Sequence, residues 1–534
     1  MMNTPLTVHM ILERAYRFFG KKEIVTRQIG GLHRYTYNDF YHRTLRLAAV
    51  LRSLGIKPGD RVATFAWNSY RHMELYFAIP CLGAVLHTVN IRLSPDQLIY
   101  IINHAEDQVL FFDLSLLPII KQIRTKLKTV RHFVVLHDCS IEDEESLVYE
   151  RLLNEAPTDF TFPKVKEDMA AGLCYTSGTT GNPKGVLYSH RSIYLHSMAV
   201  AMVDTLAICE RDVIMPVVPM FHANAWGLPF AATMIGATQV LPASFLQPHD
   251  LLLLIQQERV TVTAGVPTIW IGIMGLLEKE QFDLSSLRMM VVGGSAVPAS
   301  MIEFFDSNYN IPIVHAWGMT ETSPLGAVSR VKSYLNLLSS DEQLAIRIKQ
   351  GIPVAGVEVR VVDEAGNPLP WDGKSRGELQ VRGPWVARAY FNTDERAEAF
   401  QNGWFSTGDV VTIDTEGYIA IADRTKDLIK SGGEWISSVD LENALLSYPK
   451  IQEAAVIAVR HEKWVERPLA CVVSKPEFRN QLSSAEVIEY LRGKFASWCL
   501  PDEIVFINEI PKTSVGKFDK KRLREQYRDF QWSQ

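Results

Sequence analysis

A twelve-residue stretch, YTSGTTGNPKGV at positions 175–186, constrains this chain more than any other feature. A mostly apolar run at 169–175 predicts a buried strand, which stops where hydroxyl residues and glycines begin. Glycines let successive backbone N–H groups point into one concavity that suits an anion, while hydroxyls and a lysine add further donors. The stretch therefore predicts a polyphosphate-binding loop made by Thr176, Ser177, Gly178, Thr179, Thr180, Gly181 and Lys184.

This loop does not match two common phosphate-binding motifs. A Walker A motif requires G-x-x-x-x-G-K-[ST], and the fifth residue after Gly178 is Pro183. No G-x-G-x-x-G opens a helix here, so the dinucleotide fingerprint does not apply. Clusters of Gly, Ser and Thr also occur in ordinary surface loops, which is the alternative that composition alone leaves open.

The composition describes a globular chain of more than one domain. At 534 residues it is too long for a single core of usual size. A hydrophobic content of 47%, a charged content of 22% and a net charge of −5 give no reason to expect binding to nucleic acid or strong attraction to an anionic membrane, and they leave peripheral membrane contact open. We also expect no membrane span and no signal peptide.

The six cysteines are scattered along the chain without metal-binding or disulfide spacing. This usage fits a reducing, cytoplasmic setting. Cys174, directly before the loop, is interpreted as a small buried strand residue rather than a nucleophile.

Strands alternate with helices over the first 350 residues, which predicts an α/β layered fold. Apolar spacing predicts helices over 8–19, 37–54, 70–83 and 95–104, with strands over 61–66, 85–89 and 109–113. Residues 125–163 are interpreted as a peripheral strand plus connecting segment. Ser189 is predicted to cap a helix over 191–204.

The pattern changes near residue 351, where short strands separated by turns predict a β-rich part over about 351–422. We interpret residues 1–422 as a large N-terminal domain that includes this part. The charged, glycine-rich segment 423–438 is predicted to be a hinge, and 439–534 a small mobile α+β domain.

Several residues suggest chemistry but allow two interpretations each. The segment PVVPMFHANAW at 216–226 is either a buried helix or the wall of an apolar slot, and His222 is either a core histidine or a site residue. Glu321 follows a predicted strand and is either a helix cap or a single carboxylate anchor for Mg²⁺. Asp409 is either a turn residue or an acceptor for a ribose diol.

The sequence as a whole resembles the adenylate-forming, or acyl-activating, enzymes. The resemblance rests on YTSGTTGNPKGV, FHANAW, GMTET, STGD, DRTKDLIKSGGEW and PKTSVGK, which occur in that order, and it is especially similar to medium- and long-chain fatty acyl-CoA synthetases. Trp317 departs from the family, in which tyrosine is usual at the adenine-stacking position.

The resemblance implies a role for each candidate residue. It makes Lys517, Glu321, Thr176 and His222 catalytic, and Thr176 and Glu321 the Mg²⁺ ligands. His222, Ala223, Trp226 and Gly294 would contact the acid, with Trp226 gating a fatty-acid tunnel. Besides the phosphate loop, the nucleotide contacts would come from Gly294, Ser295, His315, Ala316, Trp317, Gly318, Thr320, Asp409, Arg424, Lys426, Lys430 and Trp435, with Lys426 as the pivot of the hinge.

The resemblance also implies a reaction with ATP, Mg²⁺ and CoA. A small carboxylic acid, expected to be a medium- to long-chain fatty acid, would become acyl-AMP with release of pyrophosphate, and the acyl group would then pass to CoA. The alternatives are a ligase for a short modified acid such as methylmercaptopropionate, or a nucleotide-binding regulator without catalysis. A homodimer is expected, because related fatty acyl enzymes are often dimers.

Overall fold

The computed structural model describes residues 1–138, 143–176, 182–393, 399–424, 427–431, 434–461, 463–479, 481–514 and 516–532, without the side chains of residues 434 and 435. Within these ranges, none of the helices is both long and apolar enough to cross a membrane. The helices are α1 (Val8–Phe19), α2 (Tyr37–Ser53), α3 (Tyr70–Cys81), α4 (Pro95–Ala105), α5 (Leu117–Ile123), α6 (Tyr149–Glu155), α7 (His190–Ala201), α8 (Ala223–Trp226), α9 (Leu228–Ile235), α10 (Pro248–Gln257), α11 (Pro267–Leu277), α12 (Ala299–Tyr309), α13 (Ser340–Arg347), α14 (Ser438–Leu446), α15 (Ser484–Arg492) and α16 (Lys520–Gln526).

The strands are short and spread along the chain. They are β1 (Glu23–Gln28), β2 (Gly31–Thr36), β3 (Arg61–Phe65), β4 (Val85–Thr88), β5 (Asp107–Phe112), β6 (His132–Val135), β7 (Leu147–Val148), β8 (Ala170–Tyr175), β9 (Gly185–Ser189), β10 (Val213–Pro216), β11 (Thr238–Leu241), β12 (Val262–Gly265), β13 (Met289–Gly293), β14 (Ile313–Gly318), β15 (Leu325–Val328), β16 (Ile352–Pro353), β17 (Glu358–Val362), β18 (Gly377–Arg382), β19 (Phe400–Gln401), β20 (Trp404–Ile413), β21 (Ile419–Arg424), β22 (Ile429–Ser431), β23 (Glu434–Ile436), β24 (Ile451–His461), β25 (Val465–Ser474) and β26 (Glu503–Phe506).

Two large sheets form the first part of the molecule, which confirms the predicted α/β class. One has the strand order β7-β6-β5-β3-β4-β8-β9 and is parallel except for the final hairpin of β8 and β9. The other has the order β16-β15-β14-β13-β12-β10-β11-β1-β2, with a parallel centre and antiparallel edges. In parallel sheets of this kind, ligands bind at the carboxyl ends of the strands.

Two smaller sheets follow, as the change in pattern near residue 351 predicted. Strands β17-β18-β20-β19 are antiparallel, and β21 lies on β20. The last sheet has the order β23-β22-β25-β24, with β26 beside β25, and belongs to the mixed α+β C-terminal part. The domain limits stay a prediction. Because β21 continues to Arg424, the β-rich sheet includes the first residues of the predicted hinge.

Local patterns predicted several elements well. Helix α1 has the predicted bounds, and its buried residues have helical spacing: Val8, Ile11, Leu12 and Ala15. Ser189 caps α7 by accepting a hydrogen bond from the backbone N–H of Ser192 at 3.0 Å. The interpretation of 125–163 as a strand and connection was incomplete, because this region also contains α6.

The segment 216–226 differs from a buried helix. Strand β10 ends at Pro216, and the short element α8 is a left-handed turn in which Ala223, Asn224, Ala225 and Trp226 have φ angles between 42° and 58°. The right-handed helix α9 begins only at Leu228. The hydrophobic composition predicted burial correctly, but it contained no signal for a left-handed backbone.

Val465 provides a test of backbone strain in the C-terminal sheet. Its φ is 72°, a conformation that β-branched residues rarely adopt, and its side chain is 68% exposed. We expect Val465→Gly to stabilise the protein by about 1 kcal/mol, because glycine removes the left-handed penalty at a site where little side-chain packing is lost.

Thermal unfolding of the two proteins by calorimetry measures this difference. Val203→Gly is the matched control, since Val203 is also exposed but does not have positive φ. The control should leave the melting temperature unchanged or lower it. A lower melting temperature for Val465→Gly would contradict the assignment of strain.

Candidate functional site

A cavity of about 530 Å³ lies at the carboxyl ends of β13 and β14. Its walls come from both large sheets, the β-rich sheet and the C-terminal part. The lining residues are Thr176, Asn182, Lys184, Leu206, His222, Ala223, Trp226, Leu228, Val291, Gly294, Ala316, Trp317, Gly318, Met319, Thr320, Glu321, Pro324, Leu325, Glu378, Tyr390, Ala399, Phe405, Ser406, Thr407, Gly408, Arg424 and Lys517.

The two ends of the predicted phosphate loop meet at this cavity. Strands β8 and β9 pair as an antiparallel hairpin, so the residues on either side of the loop become neighbours. The backbone N–H of Thr176 donates to the carbonyl of Lys184 at 2.9 Å, and the N–H of Lys184 donates to the Thr176 hydroxyl at 3.2 Å. Ser177, Gly178, Thr179, Thr180 and Gly181 lie outside the described residues.

Burial also explains the behaviour of the cysteine beside the loop. Cys174 is buried on β8, and loss of solvent raises the pKa of its thiol to about 11. A thiol with this pKa stays protonated near neutral pH, and the thiolate is the nucleophilic form. The side chain therefore packs as a strand residue.

Glu321 is a buried carboxylate at the edge of the cavity, in a short 3₁₀ turn that follows β14. The hydroxyl of Tyr390 donates to its Oε1 at 2.7 Å. Burial raises the pKa of Glu321, and this hydrogen bond opposes the rise because it favours the charged form. The ammonium of Lys184 lies over the Tyr390 ring, 5.1 Å from its centroid. Tyr390 thus connects the anionic and cationic groups of the site.

Tyr390 was not predicted as a site residue. It belongs to the irregular stretch 383–393 that follows β18, and no local pattern marks it. Long-range contacts place it: the N–H of Ala387 donates to the carbonyl of Glu321 at 2.7 Å, and the N–H of Phe391 donates to that of Gly185 at 2.8 Å. The two hydrogen bonds join this segment to both sides of the cavity.

Asp409 and Arg424 are direct cross-strand partners on β20 and β21. Arg424 Nε lies 3.0 Å from Asp409 Oδ1, and the indole Nε1 of Trp317 donates to Asp409 Oδ2 at 3.0 Å. The Asp409 carboxylate is only 2% exposed and lies directly behind the lining residues Trp317 and Arg424.

The left-handed turn of α8 forms the opposite wall. His222, Ala223 and Trp226 line the cavity there, as one of the two interpretations of this segment predicted. Burial, with a smaller contribution from the charge of Lys517, lowers the pKa of His222 to about 3, so its imidazole is neutral. The lining also includes apolar residues, most of which belong to one buried cluster and which we call the apolar end: Leu206, Leu228, Val291, Ala316, Pro324 and Leu325.

Lys517 reaches the cavity from the C-terminal part. Gly294, whose φ is 86°, makes room for it: a Cβ at this position would lie 3.1 Å from the Lys517 Cε. The Thr268 hydroxyl donates to the carbonyl of Gly516 at 3.1 Å, and the Asn90 amide donates to the Ser514 hydroxyl at 2.9 Å. These contacts dock the loop that carries Lys517 onto the two large sheets.

Other predicted site residues either do not line the cavity or lie outside the described parts of the chain. The ring of His315 turns away to contact the Ile348 carbonyl at 3.0 Å, Ser295 is exposed, and neither lines the cavity. Lys430 is also exposed and outside the lining, and its backbone pairs with Trp435. Lys426 and the Trp435 side chain are not among the described parts. The nucleotide roles of these residues stay predictions.

The fold and the site together define an adenylate-forming enzyme. Its cavity combines Lys184, the buried carboxylate of Glu321, Arg424 backed by Asp409, and an apolar end, an arrangement that suits the joining of a nucleotide to a carboxylic acid. The chain belongs to the AMP-binding enzyme family: the family matches residues 12–391, and the AMP-binding enzyme C-terminal domain matches residues 440–517.

Several CoA ligases are similar to this chain over nearly its whole length. A long-chain-fatty-acid–CoA ligase of Thermus thermophilus is 51% identical over 99% of this chain and 97% of its own. A medium-chain-fatty-acid–CoA ligase of Ectopseudomonas oleovorans is 46% identical over 99% of this chain and 97% of its own. The crystal structure of the anthranilate CoA ligase AuaEII with anthranoyl-AMP has a TM-score of 0.88 at 26% identity and covers 98% of both chains.

Tyr390 provides a test of the electrostatics at Glu321. Removing its hydroxyl takes a hydrogen bond from the charged form of the carboxylate, so the pKa of Glu321 should rise further. In Tyr390→Phe we therefore expect the acid limb of ATP–pyrophosphate exchange to move to higher pH by about one unit. Activity that depends on ionised Glu321 would be lost as pH falls through this pKa.

The pH profiles of kcat/KM for the wild type and the variant measure this shift. Tyr334→Phe is the control, because the Tyr334 hydroxyl also donates to a carboxylate, that of Glu416, but Tyr334 does not line the cavity. Its acid limb should not move. An unchanged acid limb in Tyr390→Phe would separate Tyr390 from the ionisation of Glu321.

Proposed function

We propose that this chain joins a medium- to long-chain fatty acid to CoA, with ATP as the energy source and acyl-AMP as the intermediate. The chain is an acyl-CoA synthetase, and ATP, CoA and a carboxylic acid are its substrates. The single observation that carries the proposal is the meeting of Lys517, Lys184 and Glu321 with an apolar end in one cavity.

The first step brings two anions together, the acid carboxylate and the α-phosphate of ATP. Catalysis of such a step depends mainly on positioning and on neutralisation of charge. Lys184 and the loop after Thr176 would hold the β- and γ-phosphates. Lys517 would lie between the carboxylate and the α-phosphate, where it stabilises the negative charge as the bond to phosphorus forms and pyrophosphate leaves.

Asp409 and Trp317 would bind the nucleoside. A carboxylate accepts both hydrogens of a ribose diol, and the flat indole presents a surface to adenine. His222 is neutral, so it would contact the substrate carboxylate without adding a second positive charge beside Lys517.

The chemistry of the site also suits Mg²⁺. This ion takes few protein carboxylates and otherwise prefers phosphate and water oxygens. The buried carboxylate of Glu321 and the hydroxyl residue Thr176 both line the cavity that would receive the triphosphate. We propose these two residues as its ligands; the ion would neutralise phosphate charge when bound.

The second step requires a different arrangement of the same cavity. We infer that the small domain rotates about Lys426 and withdraws Lys517, so that the CoA thiol reaches the acyl carbon and AMP leaves. The docking contacts of the Lys517 loop include neutral hydrogen bonds from Thr268 and Asn90, which cost little to break. Such a rotation reconciles one cavity with two reactions.

The apolar end of the cavity supports a fatty acid. Leu206, Leu228, Val291 and Leu325 offer no partner for a polar tail, and Trp226 stands beside them as the proposed gate. A short modified acid would leave much of this surface unfilled. A regulator without catalysis would not require Lys517 and Glu321 in the same cavity, so this alternative is not favoured.

Two further proposals concern the setting of the enzyme. We propose a cytoplasmic location, in agreement with the unpaired cysteines among the described residues. We propose a homodimer by similarity to fatty acyl enzymes, and light scattering of the purified protein tests it.

Substitution of Lys517 tests whether this residue acts in only one of the two half-reactions, adenylation and thioester formation. We expect Lys517→Ala to slow adenylation by roughly 10²–10³, as for loss of one positioned electrostatic group, and to spare thioester formation from supplied acyl-AMP. ATP–pyrophosphate exchange and acyl-CoA formation measure the two steps. Lys521→Ala, which removes an exposed lysine four residues away, should affect neither. An equal loss in both half-reactions would disprove the assigned role.

The acid chain length tests the apolar end. Each buried CH₂ contributes about 0.8 kcal/mol, so kcat/KM should rise several-fold per carbon until the slot is filled. Leu206→Phe should move the optimum to shorter acids and leave the KM for ATP unchanged. The measurement is a series from acetate to palmitate that includes thioether and aromatic acids. A flat profile in the wild type would reject a hydrophobic slot.

A further inference from the structure

Trp317 makes a contact that stacking on adenine does not require. Its indole Nε1 donates to Asp409 Oδ2 at 3.0 Å, although Trp317 is on β14 of a large sheet and Asp409 is on β20 of the β-rich sheet. Arg424 Nε holds the other oxygen of the same carboxylate at 3.0 Å. Two donors on separate strands therefore fix the plane of the Asp409 carboxylate.

The position of the indole is itself fixed. Trp317 is only 7% exposed, and the six-membered ring of its indole lies close to Gly326, on the neighbouring strand β15. A Cβ at Gly326 would lie 2.4 Å from the Trp317 Cζ3. The missing side chain at Gly326 thus leaves the space that the indole occupies, and the close contact limits movement of the ring toward β15.

The hydrogen bond has a chemical consequence for the nucleotide. An ionised carboxylate offers about four lone-pair positions, and Trp317 and Arg424 occupy two of them. A ribose diol would use positions that remain, and their directions follow from the fixed carboxylate plane. A phenylalanine or tyrosine would preserve an aromatic face but has no N–H at this point of the ring.

We propose that Trp317 is a positioning residue for ribose recognition: its indole N–H orients Asp409, so that contact with the base and contact with the sugar act as one unit. This inference rests on the proposed function, in which ATP binds in this cavity. It predicts that the enzyme's preference for ATP over deoxy-ATP depends on Trp317.

The test compares ATP with 2′-deoxy-ATP and 3′-deoxy-ATP in the full-length enzyme. We expect Trp317→Phe to raise the KM for ATP about tenfold, as for loss of a hydrogen bond to a charged group, while kcat and the KM for the acid change little. The KM should rise much less for the deoxy-nucleotide that lacks the hydroxyl recognised by Asp409. Preference for ATP over that nucleotide therefore falls.

Matched variants separate positioning from folding. Trp385→Phe is the control, since the buried Trp385 indole donates to the Leu325 carbonyl at 3.0 Å nearby but does not line the cavity. It should leave the nucleotide preference unchanged. Trp317→Tyr is a second variant with a large ring but no N–H at that edge, and it should lower the preference as Trp317→Phe does. In an Asp409→Ala background, Trp317→Phe should have no further effect on preference.

An equal rise in KM for ATP and for both deoxy-nucleotides would overturn the inference. An unchanged preference for ATP over the deoxy-nucleotides in Trp317→Phe and Trp317→Tyr would also overturn it. Calorimetric binding of AMP, 2′-deoxy-AMP and 3′-deoxy-AMP gives the same comparison without any reaction. If the wild type bound AMP but never exchanged pyrophosphate with any acid, the proposed function would fail while the role of Trp317 could still be measured.

Discussion

The close approach of Lys517 to the backbone at Gly294 completes the site. The cavity is built from strands of three sheets, and the absence of a side chain at Gly294 leaves room for Lys517 of the C-terminal part to approach closely. A left-handed φ of 86° at this residue favours glycine independently. The position of Lys517 in the cavity therefore depends on a contact between regions more than two hundred residues apart in the chain.

This contact is coupled to the predicted hinge through buried polar groups. Lys520, three residues after Lys517, contacts Glu442 at 2.7 Å and Ser438 at 2.6 Å. The Ser438 hydroxyl in turn donates to Asp423 at 2.5 Å, at the end of β21. Buried, paired charges of this kind are costly to separate. A movement at the hinge would therefore be transmitted to Lys517 through these contacts rather than absorbed between them.

How much the sequence predicted depends on the range of each interaction. The bounds of α1 and the cap at Ser189 are local, so periodicity and residue type were sufficient to predict them. The pairing of Asp409 with Arg424 could be inferred from a short hairpin. The contact of Tyr390 with Glu321 and the hydrogen bond from Trp317 to Asp409 could not be inferred, because each depends on how distant parts of the chain pack together. The second contact also depends on the space left at Gly326.

The left-handed turn at Ala223–Trp226 shows how the site maintains an unfavourable backbone. Non-glycine residues in this conformation cost roughly 1–2 kcal/mol each, so neighbouring contacts must hold it. The Asn224 side chain lies within hydrogen-bond distance of Cys174 and Tyr76, and the His196 ring packs so closely on Gly227 that a Cβ there would lie 2.5 Å away. A right-handed helix continued back from Leu228 would direct the side chains of residues 223–226 differently. The strained turn therefore places Ala223 and Trp226 on the cavity wall, directly after His222.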